Sequence, residues 1–233
     1  MDKKPLLEAD YGEQTQVVNK LIDHSREDGD FYLMLVLSTL VTTLGLLLNN
    51  AAIVIGGMLI APLLSPILAM SMGVVTASSA AIRRSGRTLL KSGGLVLVIA
   101  MITTWFVGLN LEGNQEVISR VQPNLAFVYV ALISGLAAAF SWVRPRLSAT
   151  LPGVAVAVAL LPPLCVTGIG LAGILRGTGM DMVSGSLQLF LINFVGILVA
   201  AVLIFSLMGF YRVRWEEERR IREEQRALAA DKK

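Results

Sequence analysis

Two stretches of this chain set helix-breaking residues and small polar residues into otherwise apolar surroundings. The first, "NNAAIVIGGMLIAPLLSPILA" from Asn49 to Ala69, contains Gly56, Gly57, Pro62, Ser65 and Pro66. The second, "ALLPPLCVTGIG", contains Pro162, Pro163, Thr167, Gly168 and Gly170. Proline removes a backbone donor and clashes with the preceding turn. A helix broken at membrane depth is tolerated only where it is buried in protein or lines a watery cavity. The chemistry on offer is therefore noncovalent: freed carbonyls, hydroxyls and half-helix ends that hold a small solute. Asn193 adds an amide to this candidate substrate-binding set.

Bond-breaking chemistry has little to work with. There is one cysteine, Cys165, and one histidine, His24, which lies in the polar amino-terminal segment. The long apolar runs hold no Asp, Glu, Lys, Arg or His well within them. The sequence predicts no catalytic residue, no metal site and no cofactor. Cys165 reads as a small packed side chain rather than a reactive thiol.

The elements that would position these residues are membrane helices. Of 233 residues, 55% are hydrophobic and only 16% charged, with a mean hydropathy of +0.68. That is more apolar surface than a soluble domain can bury. A bilayer core needs about 20 apolar residues per helix. Six runs meet that length, near Phe31 to Leu48, Ile53 to Val75, Leu89 to Leu109, Leu125 to Val143, Gly153 to Ile174 and Leu187 to Phe210. They are continuously apolar rather than alternating, which predicts helices and not a barrel.

Six spans place most basic residues on one side: Lys3, Lys4, Lys20 and Arg26, then Arg83, Arg84, Arg87 and Lys91, then Arg144 and Arg146, and finally the arginines and lysines after Tyr211. Only Arg120 and Arg176 fall opposite. The positive-inside rule makes both termini cytoplasmic and the protein a multi-pass inner-membrane protein. Insertion bias and attraction to anionic lipid then explain a sequence pI near 9.2 without nucleic acid.

Flanking segments divide the chain into three parts. Residues 1–29 form a polar cytoplasmic lead in which Val17, Val18, Leu21 and Ile22 share a stripe, predicting an amphipathic helix on the bilayer or on the bundle. Residues 30–210 form the membrane domain. Residues 211–233 alternate Arg and Glu, predicting a charged cytoplasmic helical tail.

The membrane domain reads as two halves, about 30–109 and 125–210. Pro62 and Gly73 align with Pro162 and Gly173, Ser38 with Ser134, and Gly94 with Gly196. Three helices per half force the second half to cross in the opposite sense. The predicted fold is all-α, with six transmembrane helices as two inverted three-helix repeats whose second and fifth helices are interrupted. A tightly packed bundle without a solute would use the same prolines and small residues. Asn193, with Ser38, Thr39, Thr42 and Thr43, also suits hydrogen bonding across helices, and Asn49 and Asn50 suit helix ends at the outer surface.

"LLLNNAAIVIGGMLIAPLLSPILA", a basic loop and then "LPGVAVAVALLPPLCVTGIGLAG" resemble the hydrophobic membrane family called domain of unknown function 389. The resemblance spans roughly Asp30 to Gly209. It implies a bacterial or archaeal polytopic membrane protein, with no activity or functional residues attached. Members are often longer, with a soluble part ahead of the membrane domain.

The leading functional expectation is a transporter or facilitator of a small solute, whose cavity lies at the midplane between the repeats. An oligomeric ion channel and a noncatalytic scaffold or sensor are the alternatives. The partners expected are the lipid bilayer, a small solute or ion and, from the many small residues on the helices, further copies of the chain.

Overall fold

The computed structural model describes residues 11–25, 27–108, 111, 113–144, 147, 160–174, 177 and 179–212. The predicted charged tail beyond Arg212 and residues 153–159 of the fifth apolar run lie outside the described residues. Among the described residues every regular element is helical.

The chain begins with α1 (Tyr11–His24), then α2 (Gly29–Leu47), α3 (Ala51–Ile60), α4 (Leu64–Val75) and α5 (Ser79–Val107). A four-residue helix, α6 (Gln115–Ile118), precedes α7 (Leu125–Val143), α8 (Leu161–Ile174) and α9 (Met180–Leu207), and a short 3-10 turn covers Phe210–Arg212. Four of these, α2, α5, α7 and α9, are long and apolar enough to cross a membrane. The α3–α4 pair makes a fifth candidate, bent by 52° at its break. At 14 residues α8 is shorter than a span. Among the described residues there are thus four or five candidate spans where the sequence predicts six.

Exposure of large apolar side chains fits a lipid environment. Leu187, Leu191, Val195, Val199, Leu203 and Leu207 recur every fourth residue along α9, and all are exposed. A continuous apolar stripe of this length is stable only against lipid or another apolar surface. The inward faces instead carry small residues, because without a hydrophobic force between helices close approach supplies the attraction. A Cβ on Gly135 of α7 would meet Ile197 Cα of α9 at 2.7 Å, and one on Gly168 of α8 would meet Ala100 Cβ of α5 at 2.6 Å.

Both ends of the described chain meet at one end of the bundle. Val17 and Leu21 of α1 are buried in one core cluster with Leu68 and Met72 of α4, Trp142 and Val143 of α7, and Phe205, Met208 and Phe210. Gln14 Nε2 donates to the Met208 carbonyl at 3.1 Å, and Lys20 Nζ stands 5.3 Å over the Trp142 ring. The predicted amphipathic helix therefore docks on protein. At the opposite end Asn50 caps α3, accepting from Ile53 N at 3.2 Å, and Asn49 takes a left-handed φ of 52° after α2. The two asparagines terminate and start helices as their types predict.

Candidate functional site

The break between α3 and α4 follows from Pro62. Ala61 is held extended at φ −74°, ψ 126°, the region forced on a residue before proline. Ala61 N reaches only to the Met58 carbonyl at 3.3 Å, a last tight turn of α3. α4 then starts behind Leu63, which provides no side-chain cap. Pro66 sits in its first turn, where a missing N–H leaves no intrahelical bond unmade. α8 starts the same way, with Pro162 and Pro163 directly after its first residue, Leu161.

These two helix starts lie together inside the protein. Leu63 shares a core cluster with Leu161 and Leu164, while Ile67 of α4, Leu160 and Ile197 of α9 form a second, smaller one. Both α4 and α8 pack against both long helices, α5 and α9. Hydroxyls tie them to α9: Ser71 Oγ of α4 donates to the Leu198 carbonyl at 3.4 Å, and Thr167 Oγ1 of α8 is 2.8 Å from Ser186 Oγ.

The predicted site residues divide sharply. Pro62 and Ser65 are half-buried at the break, and Pro66, Pro162, Pro163 and Thr167 are buried beside the two helix starts. Asn193 is buried on α9, on the face that carries Leu189 and Ile197. Gly57 is a packing contact: a Cβ there would run into the Thr42 hydroxyl and sit 2.8 Å from Thr42 N. Gly168 does the same work against α5. Gly56 is exposed with open space around it, so it lies away from the junction. Cys165 is fully buried in the cluster that holds Leu161 and Leu164.

A line of buried hydroxyls runs along α2. Ser38 and Thr39 donate back to the Leu35 carbonyl at 2.9 and 2.6 Å. Thr42 and Thr43 do not: both side chains are fully buried, the Thr43 hydroxyl meets the Cys165 thiol, and the Thr42 hydroxyl, like that of Ser92 of α5, has no hydrogen-bond partner among the described residues. Thr42 faces Gly57 of α3, and Thr43 lies beside the Cys165 thiol of α8. An unsatisfied buried hydroxyl costs about 1–3 kcal/mol, so the Thr42 hydroxyl is a specific feature of the α2–α3 contact.

Two features at the ends of the bundle have no clear sequence signal. The short α6 plugs the end where α2 and α3 meet. Asn114 caps it, accepting from Val117 N at 3.0 Å, and donates through Nδ2 to the Leu46 carbonyl at 2.7 Å. Val117 is thereby buried with Leu46, Leu164 and Cys165. Arg120 pairs with Glu116 at 2.9 Å on the same plug. At the opposite end Glu27 accepts from Thr88 at 2.7 Å, from Lys91 at 2.6 Å and from Tyr32 at 3.0 Å. The Lys91 ammonium, together with these hydroxyls, pulls the Glu27 carboxyl down to about 2.

Residues 58–199 match the family described as domain of unknown function (DUF389), a match that covers both helix breaks. The uncharacterized protein MJ0678 of Methanocaldococcus jannaschii is 35% identical over 184 residues, which is 78% of this chain and 55% of that protein. The chain thus spans about half the length of this curated relative. No solved structure matches. The chain belongs to the DUF389 family.

Proposed function

We propose that this DUF389 member is a noncatalytic transporter or facilitator that passes a small solute between two inverted three-helix repeats. The observation that carries the reading is the meeting of two proline-marked helix starts, α4 and α8, in shared core clusters. Paired interrupted helices at a repeat interface are the usual site of solute binding in such folds. Helix lengths support the repeat: 19 residues in both α2 and α7, 12 and 14 in α4 and α8, and 29 and 28 in α5 and α9. Six crossings follow if the chain between Val143 and Ile174 makes one of them. α7 ends in the α1 cluster, whereas Gly170 of α8 packs on Gly179, next to the start of α9 at the other end.

The reading is tested in a Cys165→Ala background with Ser65→Cys at the break and Ile55→Cys on the exposed face of α3. A membrane-impermeant thiosulfonate is applied to either side of sealed vesicles. Ser65→Cys labels from one side and Ile55→Cys from neither. A Ser65→Cys protein that labels only after denaturation would overturn the pathway.

A homo-oligomer whose pore lies on the subunit axis is the second reading. It is favoured by α5, where Gly86, Gly93 and Gly94 have open space above them and Leu90 is 80% exposed. Small residues on a lipid-facing helix allow another helix to approach closely. Crosslinking through Gly93→Cys in membranes, giving a defined higher species, tests this arrangement.

A further inference from the structure

α5 is longer than the bilayer it would cross. Its 29 residues reach about 43 Å at 1.5 Å per residue, against a hydrocarbon core of about 30 Å. Trp105, which is 55% exposed, suits one membrane interface. Arg87 lies about five helical turns earlier, roughly 27 Å along the axis, and so falls at the other interface. Arg83 and Arg84 stand one turn further out, at headgroup level. All three arginines are exposed, and none of them pairs with a carboxylate among the described residues. α5 itself contains no acid. Glu27 already accepts from Lys91, Thr88 and Tyr32, and Asp28 caps α2. Arg83, Arg87 and Lys91 follow one another at a spacing of four, where like charges destabilise a helix unless a counter-charge lies against them.

We infer that this face of α5 is a binding site for an anionic phospholipid of the adjoining leaflet, with its phosphate on Arg83, Arg84 and Arg87. Planar guanidinium groups donate to phosphate oxygens in pairs, and basic side chains at the membrane surface attract anionic lipid. Directly below the arginines the same face carries Gly86, Gly93 and Gly94, each with open space above it. Backbone without side chains leaves a shallow trough in which an acyl chain lies close to the helix, beside Leu90, which is 80% exposed. Charge favours lipid over a second copy here. Two chains inserted in the same sense meet at equal depth, which would set Arg83 and Arg87 against their own counterparts. The site does not depend on whether a solute crosses the protein.

Native mass spectrometry of the detergent-purified full chain tests the site, with dioleoylphosphatidylglycerol or dioleoylphosphatidylcholine titrated into the micelles. The wild type should hold one phosphatidylglycerol per chain at saturation and bind phosphatidylcholine at least tenfold more weakly. Arg83→Gln with Arg87→Gln should lose that preference. Arg219→Gln with Arg220→Gln removes the same charge from the carboxy-terminal segment and should bind as wild type does. Gly94→Leu fills the trough and should weaken lipid binding with every arginine in place. Glycerol phosphate, the headgroup without its chains, should not compete. Equal binding of the two lipids would overturn the site, and so would a Gly94→Leu protein that binds like wild type. Equal losses in the two arginine pairs would show diffuse attraction to a basic surface, and competition by glycerol phosphate would assign the arginines to a free phosphate. Crosslinking between chains through Gly93→Cys that is as fast with phosphatidylglycerol as without it would give the face to a second copy. Each of these three results also overturns the lipid site. If the Arg83 and Arg87 pair does not fold, the headgroup series and Gly94→Leu still decide.

Discussion

Lys91 Nζ of α5 and Glu27 Oε2, just ahead of α2, lie 2.6 Å apart, and they join α5 to the start of α2 where the chain enters the bundle. The carboxylate also accepts from Thr88 and Tyr32, so its ionised form is held by three donors. The Glu27 carboxyl is lowered from 4.5 to about 2 on folding. A depressed folded value means that the contribution is complete above pH 4.5 and is lost as pH falls from 4.5 through about 2. Melting temperatures of the wild type should therefore fall across that window. Glu27→Gln should melt lower at pH 7 and show a flatter profile between pH 4.5 and 3. An identical slope in the variant would show that the ion pair contributes nothing to folding.

Gly56 and Gly57 are neighbours in sequence and opposites in environment. A Cβ on Gly57 would collide with Thr42 of α2, whereas one on Gly56 meets nothing within 4 Å. Gly57→Ala should destabilise by about 1–3 kcal/mol through overpacking. Gly56→Ala should be neutral, or stabilising by about 0.5–1 kcal/mol, because helix interiors disfavour glycine. Thermal unfolding of the two variants side by side checks the difference, and the opposite ranking would refute the packing of α3 on α2.

This pair also shows what was legible in the sequence. A proline and a glycine pair announce that a helix is interrupted, because their backbone consequences are local. Which of two adjacent glycines faces the partner depends on helix rotation, and the apolar run "AAIVIGGMLI" has almost no polar contrast to fix it. The caps at Asn49 and Asn50 were readable for the same local reason. The Glu27 cluster was not, since Thr88 and Lys91 are remote in the chain. The four-residue α6 is too short to show a helical period, and only the apolar Val117 and Ile118 inside a polar loop hint at it.

Asn114 holds that plug in place. Its side chain caps α6 and donates to the Leu46 carbonyl, which also accepts from the Asn49 N–H at 3.1 Å. Asn114→Ala removes both bonds at a site 3% exposed and should cost about 1–3 kcal/mol. Amide exchange should speed up over residues 114–121 more than in α9. Unchanged protection there would mean that burial of Val117 alone keeps the plug seated.

α1 docks through Leu21, which is 1% exposed against the ends of α4, α7 and α9. Leu21→Ala should destabilise by about 2–4 kcal/mol, the usual range for a buried leucine. Because α1 packs on α4 and α7 from the end of the bundle, the loss should be local, and cleavage at Lys20 by trypsin should accelerate while the membrane helices stay protected. Equal cleavage rates in both proteins would place α1 away from the bundle.

The end of the bundle that gathers α1 and Phe210 also carries Arg83, Arg84, Arg87, Lys91 and Arg144, around the start of α5 and the end of α7. Charge of this sign is retained on the cytoplasmic side during insertion, so this end should face the cytoplasm and α6 the opposite compartment. Ala80 at the start of α5 and Gln115 on α6 are both exposed, one at each end. In a Cys165→Ala background, Gln115→Cys should react with an impermeant maleimide on intact cells. Ala80→Cys should react only after the membrane is opened. Fully buried Cys165 should stay silent in the native wild type under either condition. The reverse pattern at the two engineered positions would invert the orientation and leave the bundle itself unchanged, because the pairing of helix ends rests on packing and the choice of side rests on charge.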